Sequence, residues 1–355
     1  MRKYNKGEWS EIYTFTHLLT SGVLYAADKD LNKLEEIYFP VIKIIREEEY
    51  GEPVDYFTGD TIRIYKGDKL LKEVSRTEFA QITQELYQRI PEGSRAFTIP
   101  STDQFFDSIY CYKVKEAPTK KQDITLQLHD INTGIKPICG FSIKSYLGAN
   151  PTLVNAGVNT NFLYTINGCD DALMEEVNAI DTRTKLIDKM ERLVSAGCTF
   201  DLHDDSISEQ FIENLQFIDT RMPTILNFLV FYSYRYNLRN ITDIVAKLKE
   251  TNPLRFSNPE MYTYKVKKLL SAWALGMTPE RTDWLGAEDA NGGYITVKKD
   301  GSVVCYHLYN RADFESYLLN YTFMDKPSTS KHHYFTIFKN GDQYQIKLCL
   351  QIRFR

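Results

Sequence analysis

Long hydrophobic runs are missing from this 355-residue sequence. The longest, residues 225–232, is far too short to span a bilayer. The first ten residues, MRKYNKGEWS, lack the apolar core that a signal peptide needs. Hydrophobic residues make up 43% of the chain and charged residues 25%, fractions typical of soluble globular proteins. We therefore expect a cytoplasmic protein that does not enter a membrane.

Paired metal-binding motifs and nucleotide-binding loops are missing as well. No Cys-x-x-Cys occurs and the six histidines are scattered, which argues against a zinc site. No glycine-rich phosphate loop is present, which argues against ATP-driven movement. We expect the cysteines to be reduced residues of the core: Cys111, Cys139, Cys169, Cys198, Cys305 and Cys349.

A strong excess of one charge is the third absence. The net charge is −4, so bulk charge does not indicate a nucleic-acid-binding protein. A near-neutral protein can still carry a basic groove where DNA lies, because only the local field matters there. This composition therefore leaves a DNA-acting protein open.

The length allows one elaborated domain or two. We find no internal repeat, low-complexity stretch or clear linker, which favours one integrated unit. Within it we expect a core over residues 1–170, a mainly helical region over 171–282 packed on that core, and a β-rich region over 283–355.

Residues 121–164 carry the clearest strand pattern. Apolar and polar residues alternate on both sides of Asn132-Thr133-Gly134, which predicts a β-hairpin with its turn there. The apolar positions are Ile124, Leu126 and Leu128, then Cys139, Phe141 and Ile143. A turn centred on Thr133-Gly134 pairs Ile124 with Ile143, Leu126 with Phe141 and Leu128 with Cys139. One face is then apolar throughout, and a slip by one residue would mix the two faces.

The opposite face of this hairpin carries charge. Asp123 is expected beside Lys144 at the open end, with Ser142 one step along the strand. A carboxylate can hold Mg²⁺, and an ammonium group can steady an attacking water or a developing negative charge. The alternative is a cross-strand ion pair on a solvated face, worth about 0.2–1 kcal/mol.

Asp123 followed by the triplet Ser142-Ile143-Lys144 resembles the PD-(D/E)XK nuclease motif, in which an Asp opens one strand and an acidic-x-Lys triplet lies on the next. The wider sequence is similar to the HpaII family of type II restriction endonucleases. Three parts carry this resemblance: NKGEWSEIYTF from residue 5, GFSIKSYLGANPTLVNAGVNTNFLY from residue 140, and PSTSKHHYF with LCLQIRF from residues 327 and 348. It spans essentially the full chain. It implies an α/β fold whose mixed central sheet is flanked by helices, with helical and β-rich additions.

The resemblance also implies roles for these residues. Asp123 and the backbone carbonyl of Ile143 would hold Mg²⁺, and Lys144 would position or help to deprotonate the attacking water. Ser142 departs from the motif, because it occupies the acidic position of the triplet and brings no charge. Either another carboxylate completes the site, or the site uses fewer acidic ligands.

Residues 8–19 have apolar side chains at helical spacing, which predicts an amphipathic helix. Many nucleases of this fold carry a glutamate on the first helix in a Lys-Gly-x-x-x-Glu-like setting, and KGEWSE at residues 6–11 matches it. Glu11, which leans toward the buried side, is therefore our candidate to offset Ser142, with Glu8 as the second choice. The alternative is that both glutamates only favour the positive end of the helix dipole, worth about 0.3–1 kcal/mol.

Two polar segments are candidates for DNA contact. Asparagine and threonine side chains can read base edges or hold phosphates, although most such residues form turns and helix caps. The candidates after the catalytic lysine are Asn150, Thr152, Asn155, Thr160 and Asn161, and those near the C-terminus are Ser328, Thr329 and Lys331. Lys120 and Lys121 could touch phosphate, as could Lys265, Lys267 and Lys268, but a solvated surface is the commoner explanation.

Periodicity and turn residues predict the remaining elements. We expect helices over residues 31–46 (interrupted at Pro40), 76–89, 174–187, 207–217, 224–236, 241–249, 259–275 and 312–320. We expect hairpins over residues 61–75, over 294–308 and, at the C-terminal end, around Asn340-Gly341.

The function implied by the resemblance is Mg²⁺-dependent cleavage of double-stranded DNA at a short sequence, CCGG if specificity is shared. A palindromic target would suit a homodimer, and a companion DNA cytosine methyltransferase is expected genetically. The second hypothesis is a catalytically inactive DNA-binding or interaction protein on a nuclease fold, for which Ser142 is the best argument. Retention of Asp123, Lys144 and Glu11 argues against that loss. An HNH-type or zinc nuclease lacks its ligand pattern here.

Overall fold

The computed structural model describes residues 2–48, 53–113 and 122–355, which form a mixed α/β protein. The chain divides into two compact units. Unit 1 comprises Met1–Pro151, Ala274–Gly276 and Glu288–Tyr317, and unit 2 comprises Thr152–Trp273, Met277–Ala287 and Leu318–Arg355. This division differs from the predicted boundaries after residues 170 and 282, because the β-rich C-terminal segment supplies strands to both units. That the chain forms one integrated unit stays a prediction.

Unit 1 is built around a large sheet with helices. Its strands are β1 (Tyr4–Asn5), β2 (Val23–Ala27), β3 (Lys33–Arg46), β4 (Val54–Phe57), β5 (Thr61–Lys66), β6 (Lys69–Ser75), β7 (Ala96–Phe97), β8 (Ile124–Leu128), β9 (Ile138–Ser145), β13 (Gly293–Val297) and β14 (Val303–His307). Its helices are α1 (Lys6–Ser21), α2 (Arg76–Glu92) and α3 (Pro100–Ser108), and α10 (Arg311–Tyr321) begins in it.

The large sheet of unit 1 is mixed. Among the described residues its strand order is β2-β14-β13-β9-β8-β3-β4-β5-β6. The pairs β9–β13 and β2–β14 are parallel, and the other neighbours are antiparallel. Helix α1 packs against β2, β3 and β9. The resulting core contains Trp9 and Phe15 of the helix with Leu126, Phe141 and Ile143 of the sheet, all buried.

Helix α1 confirms the first predicted helix and extends it. The Asn5 side chain accepts the Glu8 N–H at 3.1 Å, and the Glu8 carboxylate accepts the Asn5 N–H at 2.8 Å, so the two form a capping box. Gly22 ends the helix in the left-handed conformation at φ 69°, where its N–H donates to Leu18 O. The capping box therefore begins the helix before the apolar stripe starts, and Gly22 ends it.

The helix predicted over residues 31–46 is wrong, because this segment is the long strand β3. Its β-branched residues pair with β2, β4 and β8, so tertiary pairing overrides the local pattern. Pro40 is tolerated where β3 is irregular, since the pairing with β8 shifts between Val41 and Lys43.

The predicted hairpin is confirmed as β8 and β9, but its register is wrong by two residues. Ile124 pairs with Phe141 rather than with Ile143, and Leu126 pairs with Cys139. The turn is tightened by Asp130, whose carboxylate accepts the Asn132 N–H and the Thr133 hydroxyl. Gly134 takes φ +72° and donates to Asp130 O at 2.8 Å. A shift of two keeps every side chain on its predicted face, because strands alternate with period two.

Unit 2 contains two smaller sheets and most of the helices. Its strands are β10 (Thr152–Val154), β11 (Asn161–Asn167), β12 (Thr199–Leu202), β15 (Thr322–Met324), β16 (Ile337–Asn340), β17 (Gln343–Cys349) and β18 (Ile352–Phe354). Its helices are α4 (Asp171–Ala179), α5 (Lys185–Ser195), α6 (Glu209–Ile218), α7 (Met222–Arg235), α8 (Ile241–Thr251), α9 (Glu260–Leu275) and α11 (Thr329–His332). The strand orders are β12-β11-β17-β16 and β10-β18-β15.

Most other predicted elements are confirmed, with two exceptions in unit 2. The helix expected over 174–187 is two helices, α4 and α5, separated by residues 180–184. Strands β11 and β12 were not predicted, because their pairing partners lie far along the chain.

All six cysteines are free thiols, and five of them are buried as predicted, whereas Cys169 is partly exposed. Within the described ranges no helix has both the length and the apolar character to cross a membrane.

Candidate active site

Asp123 lies directly before β8 and is held against β9. Its N–H donates to Phe141 O at 2.8 Å. Its carboxylate Oδ2 accepts the Ile143 N–H at 2.6 Å and the Ser142 hydroxyl at 3.2 Å. Across residues 2–48, 53–113 and 122–355, the other oxygen, Oδ1, has no hydrogen-bond partner. Asp123 is therefore oriented through one oxygen while the second can accept a ligand.

Ser142 has a different part from the acidic residue that the motif places there. Its side chain is only 2% exposed, and its hydroxyl donates to Asp123. Serine thus orients the neighbouring carboxylate instead of adding a second one. This hydrogen bond explains what a serine can do at the acidic position of the motif, which could not be predicted from the sequence.

Lys144 is half-buried on β9, on the same face as Ser142 by strand alternation. Its strand neighbour in β13 is Thr296. The structure gives no ion pair between Asp123 and Lys144, and in the described part of the chain the ammonium group has no hydrogen-bond or ion-pair partner. The alternative of a simple cross-strand ion pair is therefore not what this geometry shows.

The backbone of Ile143 faces the same edge as Asp123. In a strand the N–H and C=O of one residue point to the same side, so the Ile143 carbonyl faces the Asp123 side, where its N–H donates. Within the described residues no cluster of three or more His, Cys, Asp or Glu side chains could hold a metal ion. One carboxylate oxygen and one carbonyl nevertheless fit Mg²⁺, which takes oxygen ligands and keeps several waters.

Glu11 and Glu8 are placed differently by helix α1. Glu8 is engaged in the capping box, so the structure gives the second choice a structural role. One oxygen of Glu11, Oε2, is buried. Because α1 packs on the face that carries Ile143, alternation puts Ser142 and Lys144 on the other face of the sheet.

Helix α1 begins near the segment that follows β9. A side chain at Gly148 would come within 2.7 Å of Lys6, so the start of α1 lies beside the segment that follows β9. Glu11 is about 7.5 Å farther along the helix axis, at 1.5 Å per residue. Its part in the site stays a prediction.

A group of buried tyrosines lies beside the site and was not predicted from the sequence. Tyr294 of β13 pairs in register with Ser142 and is fully buried. Burial, and then the nearby Tyr146 and Asp123, raises the pKa of Tyr294 well above its usual value, so the phenol stays protonated. The Tyr146 and Tyr317 hydroxyls are hydrogen-bonded at 2.9 Å. Nothing in the local pattern signalled this layer, because it depends on the β9–β13 pairing.

The candidate DNA-contacting residues after Lys144 do not share one environment. Thr160 is fully buried, and its hydroxyl accepts the Gly157 N–H at 2.9 Å, so this residue caps a turn and does not face solvent. Asn161 donates to His332 O at 3.0 Å, which ties the start of β11 to α11. Asn150 and Thr152 are half-buried and Asn155 is exposed.

The C-terminal candidates lie at helix α11. Ser328 caps this short helix by accepting the Lys331 N–H, Thr329 is half-buried, and Lys331 is exposed. The contact of Asn161 with His332 brings this segment next to the first one. Lys265 is buried and forms an ion pair with Asp219, which accounts for its charge. Lys120 and Lys121 lie outside the described residues.

Comparison with known proteins matches nearly the whole chain. The model of the family described as HpaII restriction endonuclease matches residues 5–354. The type II restriction enzyme HpaII of Haemophilus parainfluenzae is 36% identical over 356 residues, which cover 99% of this chain and 98% of the relative. No solved structure matches the chain.

Proposed function

The chain belongs to the HpaII restriction endonuclease family and is a type II restriction endonuclease, and we propose that its active site for the hydrolysis of double-stranded DNA lies where β8 begins and β9 ends. The observation that carries this proposal is the contact of Asp123 with both Ser142 and Ile143, beside Lys144 on the same strand. This arrangement supports the inference of a PD-(D/E)XK nuclease site, with serine at the acidic position.

The residues divide the chemistry between them. Asp123 Oδ1 and the Ile143 carbonyl would hold the divalent cation, and when bound, Mg²⁺ polarises the phosphate and lowers the pKa of water. The Ser142 hydroxyl and the Ile143 N–H fix the orientation of the carboxylate. Lys144 would orient the attacking water and stabilise negative charge on the phosphate. Glu11 would support the metal or the lysine from the α1 side.

We further propose CCGG as the target, by transfer from the family resemblance. A palindrome is read most simply by a two-fold dimer with one active site for each strand, so we propose a homodimer on DNA. The host DNA would be protected by a companion DNA cytosine methyltransferase, and cleavage of unmethylated DNA that enters the cell would place the enzyme in the cytoplasm. Asn155 and Lys331, both exposed, remain the best candidates for DNA contact among the predicted residues.

Digestion of a sequenced plasmid by the purified protein tests this function. We expect discrete fragments with Mg²⁺, none with EDTA, and fragment ends that all fall at CCGG. A plasmid from which CCGG has been removed is the matched control and should stay intact. Ends at another sequence would overturn the specificity. Specific DNA binding without any cleavage would favour the inactive binding protein, for which Ser142 is the argument.

A further inference from the structure

The small sheet β10-β18-β15 of unit 2 has one buried face and one open face. Ile352, Phe354, Thr322 and Met324 are fully buried. Their neighbours on the strands, Thr152, Arg353 and Phe323, are aligned in one row across the sheet and are partly exposed. Alternation therefore turns this row outward.

A second arginine lies over this row. Arg239 O accepts the Met324 N–H at 2.7 Å, and Asn240 bridges to Phe323, so this segment continues the sheet. The Arg239 guanidinium lies 4.8 Å from the centre of the Phe323 ring, and its side chain is 59% exposed. We call Thr152, Arg239, Phe323 and Arg353 the arginine face.

The two arginines of this face share one carboxylate. Asp325 contacts both Arg239 and Arg353, but each nitrogen–oxygen distance is 3.5 Å, longer than a good hydrogen bond. Lys326 lies close by, with its ammonium 2.9 Å from Asn237 Oδ1. Asp325 is therefore shared by two arginines, and Lys326 adds a further basic side chain, in a chain whose net charge is −4.

A contribution to folding stability does not by itself explain why these basic side chains are grouped. Exposed ion pairs contribute about 0–1 kcal/mol, and an exposed cation over an aromatic ring about 0.5–1 kcal/mol. A local positive field instead attracts a polyanion, and the substrate of a restriction endonuclease is one. Guanidinium groups beside an aromatic ring and a threonine hydroxyl are typical donors to DNA phosphates.

We propose that the arginine face binds phosphates of the DNA duplex other than the one that is attacked. Arg239 and Arg353 each neutralise a phosphate, and Thr152 adds a hydroxyl donor. This inference rests on the proposed function, since it needs DNA as the substrate. It assigns unit 2 a part in holding the duplex that does not depend on which bases are read.

The test is the DNA affinity of the full-length protein in EDTA, measured by fluorescence anisotropy over a range of salt concentrations. Two duplexes are used, one with CCGG and one with the same bases scrambled. Arg239→Ala and Arg353→Ala should each weaken binding to both duplexes about three- to tenfold. Each should also reduce the slope of log affinity against log salt by about 0.9, the value for one lost phosphate contact.

Two further variants separate a lost contact from lost folding. Asp325→Asn should tighten binding to both duplexes, because it removes the carboxylate that offsets the arginines, and an unfolded protein could not give this result. Arg192→Ala is the matched control, since Arg192 is also an arginine of unit 2 paired with a carboxylate, Glu176. It should leave affinity and salt slope unchanged.

Unchanged affinity and slope in both arginine variants, beside normal wild-type binding, would overturn this inference and leave the proposed function standing. Weakening confined to the CCGG duplex would also overturn it, because that is base recognition. A wild-type protein that neither binds DNA in this assay nor cleaves it with Mg²⁺ would remove the proposed function and this inference together.

Discussion

Replacement of Asp123 should separate its structural contribution from its chemical one. Asp123→Ala removes the acceptor of the Ile143 N–H and of the buried Ser142 hydroxyl. An unsatisfied buried donor costs about 1–3 kcal/mol, so we expect the free energy of unfolding to fall by about 2–4 kcal/mol. Asp123→Asn keeps an oxygen that can accept both donors and should stay within about 1 kcal/mol of the wild type.

Both replacements should abolish cleavage. Each removes the negative charge that would hold the cation, whose contribution to the transition state is several kcal/mol, and every 1.36 kcal/mol is tenfold in rate. We therefore expect a loss of more than about 10³-fold in single-turnover plasmid cleavage. Urea denaturation measures the stability of the same preparations.

The two measurements can fail separately. Wild-type cleavage by Asp123→Asn would refute the assignment of Asp123 as a metal ligand. Wild-type stability of Asp123→Ala would show that the contacts with Ser142 and Ile143 do not hold this end of the hairpin.

Three further predictions concern single residues. Ser142→Ala should lower the rate of plasmid cleavage about tenfold or less, since the Ile143 N–H still orients Asp123. In the same assay, a rate for Ser142→Glu at or above that of the wild type would show that the site accepts the acidic residue of the motif. Lys144→Ala should abolish cleavage with unfolding in urea unchanged, because the ammonium has no partner in the described part of the chain; full activity would remove it from the site. Burial lowers the pKa of His17 from 6.5 to about 4, so the stability that this depressed pKa reflects is complete above about pH 6.5 and is lost as the pH falls toward 4. His17→Gln should therefore flatten the dependence of urea stability on pH between 4 and 6.5, and an unchanged slope would contradict this.

The β8–β9 hairpin could be predicted because the sequence pattern that specifies it is local. Alternating apolar residues identified both strands and the faces of Asp123, Ser142 and Lys144. The two-residue error in register came from the turn, where Asp130 binds Asn132 and Thr133 in a way that the dipeptide pattern does not specify. Because the register error is an even number of residues, the predicted faces of the two strands are correct. Asp123, however, contacts Ser142 and Ile143, whereas Lys144 was the predicted neighbour.

Strand β3 and the tyrosine layer could not be predicted because they depend on distant partners. The sequence of residues 31–46 fits either a helix or a strand, and only the pairing with β2, β4 and β8 decides between them. The position of Tyr294 beside Ser142 requires the parallel pairing of β9 with β13, about 150 residues later in the chain. Thr160 illustrates the same limit for polar residues, since a threonine in a loop-like sequence is buried as a cap.

The central claim is that the cation binds between Asp123 and the Ile143 carbonyl, and metal-directed cleavage of the polypeptide tests it most directly. Fe²⁺ takes the place of Mg²⁺, peroxide and ascorbate generate radicals at the bound ion, and mass spectrometry locates the cuts in the protein chain. We predict cuts near residues 123 and 143 that Mg²⁺ suppresses by competition and that Asp123→Asn eliminates. Mg²⁺-sensitive cuts elsewhere in the chain, unaffected by Asp123→Asn, would contradict the account.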